Sequence, residues 1–227
     1  METTDWPGVR RSGRDLYTLN LTPGLRVYGE DLRLEGGSEY RRWDPFRSKL
    51  SAYLLKGGRR APWADARSIL YLGGAHGTTA SHLSDLVPEA DIFVVEKSPV
   101  VFAPLLRLAR RRPHLIPILA DAQLPERYAA DVGEVDFLYQ DVAQRSQAQI
   151  FAENADACLR HGGAGLMMLK VRSVTQSRSA RSVAEAARAE LVRHALTVGE
   201  SIDLAPFARE HVALSVAAAG APSSVQR

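Results

Sequence analysis

The sequence predicts an α/β protein: a doubly wound, mainly parallel sheet preceded by a small antiparallel β unit. Three observations predict it. From Ser68 onward, short apolar runs alternate with segments of helical spacing, which is the pattern of βα units laid on a parallel sheet. A glycine turn at Gly73, Gly74 and Gly77 follows the first run, and Glu96 ends the second, 23 residues after Gly73. A gap of ~20 is usual between such a turn and the acid that holds a ribose in a βαβ nucleotide site. Residues 1–46, by contrast, are broken by turn dipeptides into short β-like pieces.

Taken in order, those pieces fall at 16–20, 26–28, 32–34 and 40–43, with Pro23-Gly24 and Gly36-Gly37 as turns between them. Asp44-Pro45 ends the pattern. Residues 47–56 then read as an amphipathic helix, with Leu50, Tyr53 and Leu54 on one face and Gly57-Gly58 at its end. Ser48 and Lys49 lie in its first turn, off the apolar face. The run 68–72 suits a buried parallel strand. Residues 78–86 form a helix with Ala80, Leu83 and Leu86 or Val87 on one face, stopped by Pro88. Further strands are expected at 91–96, 115–120, 135–140 and 165–170, and further helices at 99–111, 147–160 and 181–195. The runs 196–203 and 211–218 follow each other without a helix, so they should pair antiparallel. Residues 217–227 read as a loose tail, and no internal repeat is visible. The chain therefore divides into a small β domain, 1–46, and an α/β domain, 47–227.

The chain has 227 residues, 45% of them apolar and 24% charged, as in an ordinary globular protein with a sizeable core. No apolar run approaches the ~20 residues of a membrane span, and residues 1–14 lack the apolar stretch of a signal peptide. Cys158 is the single cysteine, so no internal disulfide can form. That fits an intracellular, cytoplasmic protein. Cys158 shares a helical stripe with Phe151, Ala155 and Leu159 and reads as buried filler. The six histidines show no metal-ligand spacing with cysteines or carboxylates, so no metal is expected. The net charge is +3. Residues 1–60 carry a balance of +4 and the remainder −1, which places the whole excess at the front of the chain. Arg41, Arg42, Arg47, Arg59 and Arg60 form a candidate basic patch for nucleic-acid phosphates; the alternative is a solvated arginine face.

Ligands of doubly wound sheets bind outside the carboxyl ends of the strands. That rule selects Gly73, Glu96, Asp121, Asp141 and Lys170. Gly73-x-x-x-Gly77 is not the dinucleotide pattern, and Thr78 and Thr79 stand at the helix start where a pyrophosphate would need glycines. A nucleoside ligand without pyrophosphate, such as S-adenosylmethionine, suits this turn better than NAD. The bland alternative is a tight turn of an α/β domain that holds no ligand. Asp141 and Lys170 end neighbouring strands as a charged pair, either functional or a salt bridge that caps the sheet. Asp121-Ala122 would meet a base edge or serve as an ordinary turn aspartate.

Longer motifs are more specific. They read Asp-Pro-Phe-Arg-Ser-Lys-Leu at 44–50, Tyr-Leu-Gly-Gly-Ala-His-Gly-Thr-Thr-Ala-Ser-His at 71–82, and Val-Glu-Lys-Ser-Pro at 95–99. Ile-Pro-Ile-Leu-Ala-Asp-Ala follows at 116–122, Asp-Val-Ala-Gln at 141–144, Leu-Lys-Val-Arg-Ser at 169–173 and Leu-Ala-Pro-Phe-Ala-Arg-Glu-His at 204–211. With these, the chain resembles the fibrillarin family of RNA 2′-O-methyltransferases in its archaeal form, from about Trp43 to about Val216. The resemblance implies a seven-stranded Rossmann-like methyltransferase domain behind a small N-terminal β domain, with S-adenosylmethionine as cofactor. It implies Gly73 among the cofactor-binding residues, Thr78 and Thr79 at the methionine end, Glu96 on the ribose hydroxyls, and Lys97 beside the adenine. Asp121 and Ala122 would lie at the adenine edge, and Asp141, Val142, Ala143 and Gln144 around the sulfonium end. The implied charged set at the methyl group is Lys49, Asp141, Lys170 and His211. Lys170 is expected closest to the 2′-oxygen and held by Asp141; for His211 a plain strand-start histidine is the alternative. Lys97, His76, Arg145 and Val171 depart from the family pattern, and the alkyl stem of Lys97 would cover the adenine face.

The implied partners are a box C/D guide RNA with its target rRNA or tRNA, a coiled-coil Nop-type scaffold protein and a kink-turn-binding ribosomal-type protein. A reading from another class is a structural subunit of the same ribonucleoprotein that has lost cofactor binding. An NAD-linked oxidoreductase shares the α/β pattern and Glu96, but the missing third glycine and Thr78-Thr79 argue against it.

Overall fold

The computed structural model describes residues 1–174 and 179–220. Its first part is a five-stranded antiparallel sheet: β1 (Glu2–Thr3), β2 (Val9–Ser12), β3 (Asp15–Leu19), β4 (Leu32–Glu35) and β5 (Ser38–Trp43), in the order β1-β2-β3-β5-β4. Gly36 and Gly37 close the β4–β5 hairpin with φ of 61° and 80°, the doubly positive turn whose twist matches the strands it joins. Two expectations need correction here. Residues 2–3 and 9–12 form strands that the sequence reading left out. Residues 26–28 do not form one, because the Glu30 carboxylate accepts the amide hydrogens of Val27 (3.0 Å) and Tyr28 (2.8 Å), the donors a sheet would need.

Asp44 then turns the chain. Its carbonyl accepts from the amides of Arg47 and Ser48, and α1 (Lys49–Leu55) begins after Ser48. The remainder alternates as the sequence predicts: β6 (Ser68–Leu72), α2 (Thr78–Leu86), β7 (Asp91–Glu96), α3 (Pro99–Ala109), β8 (Leu115–Leu119), a 3₁₀ turn Pro125–Arg127 with α4 (Ala129–Val132), then β9 (Val135–Gln140) and α5 (Gln147–Cys158). The strand expected at 165–170 is longer, β10 (Leu159–Lys170), and takes its first residues from the expected helix 147–160. It passes Gly162 and Gly163 with a break in register against β9. After α6 (Val171–Val174) and α7 (Ala180–Arg193) come β11 (Leu196–Asp203) and β12 (His211–Ala218). β12 covers the expected strand 211–218, so Ala217 and Ala218 belong to it and not to the tail; positions 221–227 of that tail lie outside the described residues.

The seven-stranded sheet runs β11-β12-β10-β9-β6-β7-β8, with β12 antiparallel to both neighbours. The chain leaves β6 through β7 to β8 and returns to β9 on the other side of β6. That reversal opens a crevice beyond the carboxyl ends of β6 and β9. Leu70 and Leu72 pack on one face with α5 and α7, Cys158 among them; Ile69 and Tyr71 pack on the other with α1, α2, α3 and the N-terminal sheet. At one edge, β8 presents Pro117 on the free side, since His114 and Ala120 bond toward β7. At the other, the Arg188 guanidinium donates to the carbonyls of Val198 (2.6 Å) and Gly199 (3.4 Å) in β11.

The N-terminal sheet docks through buried charge. Arg41 in β5, with no exposed surface, donates to Glu30 at 2.6 Å and to Asp85 in α2 at 2.7 Å. Asp85 also accepts from Arg112 at 2.6 Å, and Ser81 and Ser84 take further guanidinium hydrogens. Burial alone would raise the Glu30 carboxyl, but Arg41 and the amides of Val27 and Tyr28 hold it below its ordinary value. His82 stacks on Trp43 and lies between the Thr18 and Tyr28 hydroxyls, each at 2.8 Å. Burial, then Arg41 and Arg112, push its pKa well below 6.5, so it is neutral. Of the expected basic patch, Arg41 is thus internal, Arg42 pairs with Asp15 at 3.0 Å, and Arg59 sits by Glu200 of β11; the five arginines do not form one surface.

Two outcomes follow. Asp85→Ala leaves two buried guanidinium groups without their carboxylate and should cost about 3–5 kcal/mol, read from the midpoint of denaturant unfolding. Because His82 binds its proton more weakly folded than unfolded, stability should be full above about pH 6.5 and fall as pH drops below it, by up to ~1.4 kcal/mol per pH unit. A His82→Gln protein that loses stability with the same slope between pH 6.5 and 5 would exclude this histidine as the source.

Candidate functional site

The crevice is built on close backbone approach. Gly73 donates to the Val95 carbonyl at 2.8 Å, and Asp141 donates to that of Leu72 at 2.9 Å. Gly73 has φ +85°, and a Cβ there would stand 2.5 Å from the Asp141 carbonyl oxygen. Only glycine lets the two strand ends meet. Gly77, at φ +90°, starts α2 in a left-handed conformation, and its missing side chain leaves room for Leu108.

Two adjoining cavities lie over these turns, sharing Gly73, Ala75, Asp141, Val142 and Ala143. The first, about 340 Å³, is walled by Val95, Glu96, Lys97, Ala122, Val142 and Gln144. The Glu96 carboxylate is pre-set at its wall: one oxygen accepts from the Ala75 amide at 2.9 Å and the other from the Ser98 amide at 2.8 Å. Each oxygen keeps a further lone pair for a ligand. Asp121 does not line this cavity. It turns to Gln144 Nε2 at 2.9 Å and to Lys97 Nζ at 3.7 Å, so Lys97 is tethered at the rim.

The second cavity, about 470 Å³, brings together Lys49, Thr78, Thr79, Asp141, Lys170 and His211. Five separate parts of the chain supply them. Ser48 Oγ, 3.0 Å from Thr79 Oγ1, ties the start of α1 to the start of α2, and the next residue, Lys49, reaches Asp141 Oδ2 at 2.7 Å. Lys170 and His211 face each other as register partners of β10 and β12. The expectation that Asp141 holds Lys170 is corrected: the carboxylate pairs with Lys49, because α1 delivers that side chain directly onto it. Lys170 is fixed through its backbone instead. Gln147 accepts from its amide at 2.8 Å and donates to its carbonyl at 3.0 Å, while Gln140 Nε2 donates to the Gln147 carbonyl at 2.8 Å. Among the described residues Lys170 has no ion pair.

His211 Nδ1 lies 2.9 Å from the Arg209 carbonyl. A carbonyl only accepts, so Nδ1 carries the hydrogen and Nε2 the lone pair. Burial lowers the pKa of His211; the hydrogen bond to Arg209 opposes this, and Lys49 and Lys170 add to the lowering. The site thus contains a neutral imidazole next to an unpaired ammonium. Sequence reasoning missed Gln147 and the rim residue Phe46, which is 65% exposed and meets Phe207 edge-on at 5.3 Å between centroids. The aromatic residues of the motifs at 44–50 and 204–211 were the available signal for that pair; for Gln147, a glutamine opening an ordinary helix, there was none.

The imidazole of His211 should titrate below 6.5 when followed by NMR, and Lys170→Ala should move its midpoint upward by removing a nearby cation. An unchanged midpoint in that variant would separate the two groups electrostatically.

The chain is similar to known proteins in both sequence and fold. The family model described as Fibrillarin matches residues 8–219. The fibrillarin-like rRNA/tRNA 2′-O-methyltransferase of Methanopyrus kandleri is 42% identical over 198 residues, covering 87% of this chain and 85% of that protein. The crystal structure of Aeropyrum pernix fibrillarin with natively bound S-adenosyl-L-methionine superposes with a TM-score of 0.83 at 44% identity, over 89% of this chain and 88% of that one. Fibrillarin from a fibrillarin/Nop5p complex gives 0.83 at 36% identity, over 93% and 97%.

Proposed function

The chain belongs to the fibrillarin family, and we propose that it transfers a methyl group from S-adenosylmethionine to ribose 2′-hydroxyls of rRNA or tRNA. The target nucleotide is selected by a box C/D guide RNA inside a ribonucleoprotein that also holds a Nop-type scaffold and a kink-turn-binding protein. The observation that carries the reading is the convergence of Lys49, Asp141, Lys170 and His211 on one cavity that opens into the Glu96 cavity.

The residues present fit the cofactor. Glu96 offers two pre-set acceptors for vicinal ribose hydroxyls. Val95, Ala122 and Val142 supply apolar walls for a base, and together the cavities have the size usual for a ligand of this class. Thr78 and Thr79 stand at the start of α2, where polar donors and the helix dipole suit a carboxylate. Asp141 supplies negative charge between the two cavities, as a sulfonium and an α-amino group require. When bound, the cofactor supplies an electrophilic methyl group on a sulfonium that leaves readily.

The protein's own task is then alignment and charge. Lys170, clamped by Gln147, directs an ammonium at the developing alkoxide and stabilises it. Asp141 holds Lys49 and so positions α1 against the site. The lone pair on His211 Nε2 takes the hydroxyl proton, a role for which its lowered pKa keeps it unprotonated at neutral pH. In this reading residues 1–46 form a supporting domain and 47–227 the catalytic one, with Lys49 the first catalytic residue after the boundary.

Glu96→Ala should weaken S-adenosylmethionine binding by about 1.5–3 kcal/mol in calorimetry, the range for hydrogen bonds to a charged group. Lys170→Ala should leave that affinity nearly intact and slow single-turnover methylation in an assembled guide complex by at least ~10²-fold. If the wild-type chain binds no S-adenosylmethionine, the structural-subunit reading takes its place.

A further inference from the structure

A third cavity, about 500 Å³, lies beside the catalytic one and shares Arg47, His76 and Thr78 with it. It separates the loop before Glu30 from α3. Four arginines line it, Arg26 from the loop, Arg47 from the turn before α1, and Arg107 and Arg111 from the end of α3, with no acidic residue among the lining. All four are exposed, and none forms an ion pair among the described residues. In a chain whose 29 basic residues face 26 acidic ones, four unmatched arginines in one groove make a strong local field. The floor is apolar, with Leu25, Val27 and Leu108.

The groove is also held in shape. Arg112, the neighbour of Arg111, is locked into Asp85 at 2.6 Å, and the Glu30 carboxylate fixes the loop that carries Arg26. Forked guanidinium groups in one groove match the chemistry of a nucleic-acid backbone, whose phosphates they can hold bidentately.

We propose that this groove binds the phosphate backbone of the target RNA strand next to the nucleotide being methylated, with Arg26, Arg107 and Arg111 as the contacts away from the catalytic cavity. This rests on the methyltransferase reading above and adds the path of the substrate. The groove ends at the catalytic cavity through Arg47 and His76, so a strand lying in it is delivered to Lys170 without crossing the cofactor cavity. Binding by exposed arginines is sequence-tolerant and salt-sensitive, which suits an enzyme whose target is chosen by base pairing elsewhere.

The test uses Arg107→Gln/Arg111→Gln in the assembled ribonucleoprotein with a fluorescein-labelled target oligonucleotide. Both residues are exposed and outside the catalytic cavity, so melting temperature and S-adenosylmethionine affinity should be unchanged. The expected result is a target KM raised roughly tenfold, a log–log salt slope for target binding reduced by about 1.4, and an unchanged single-turnover rate at saturating target. An unchanged KM and salt slope overturns the proposal. So does a variant that loses guide RNA or scaffold while its remaining complexes bind target normally, since the arginines would then serve assembly. Arginine-dependent target binding in a wild-type complex that transfers no methyl group would instead remove the methyltransferase reading and leave the groove standing.

Discussion

The structure depends on one buried carboxylate. Asp85 projects from α2 and is shared by Arg41 of the N-terminal sheet and Arg112 beyond α3. With Glu30 the group is neutral as a whole, two positive and two negative charges, which is the condition under which charge survives burial. Ser81, Ser84 and Thr18 add further hydrogen bonds, while Arg112 Nε has no partner among the described residues. The start of α1 is placed relative to this cluster. β5 leads from Arg41 through Trp43 to the Asp44 turn, and that turn starts α1 and so aims Lys49 across 92 residues of sequence at Asp141. The contacts that dock the first sheet thus also set where Lys49 enters the second cavity.

The electrostatics of the cavity follow from that docking. Lys49 arrives and pairs with one oxygen of Asp141, so among the described residues the cations of the cavity without an ion pair are Lys170 and, at its rim, Arg47. Lys170 in turn helps keep His211 neutral. A single carboxylate therefore serves three neighbours: it holds one lysine, leaves the other free, and faces the cavity that suits a cationic ligand.

Much of this was legible in the sequence, for physical reasons. Apolar periodicity from Ser68 onward marked the strands at 68–72, 91–96 and 135–140 and the α2 span, because burial on a parallel sheet demands it. Gly73 and Gly77 were legible because backbone contact leaves no alternative residue. The polar half of α2 was not. Ser81, His82, Ser84 and Asp85 sit opposite Ala80, Leu83 and Leu86 and look like a solvated face, yet all four are buried, because a second sheet covers them. Arg41 and Arg42 were misread for the same reason: adjacent arginines in one strand point to opposite faces, one into the cluster and one toward Asp15. Nor does local sequence say which lysine an aspartate takes when one candidate ends the adjacent strand and the other comes from a distant helix.

The two ends of the large sheet have a consequence for how this molecule keeps company. An open sheet edge is a template on which another chain can lay a strand. Here Pro117 removes a donor from one margin, and Arg188 occupies acceptors on the other. Zipper-like main-chain pairing on this sheet is therefore hindered at Pro117 on one margin and at Val198 and Gly199 on the other, which favours contact through side-chain faces and loops.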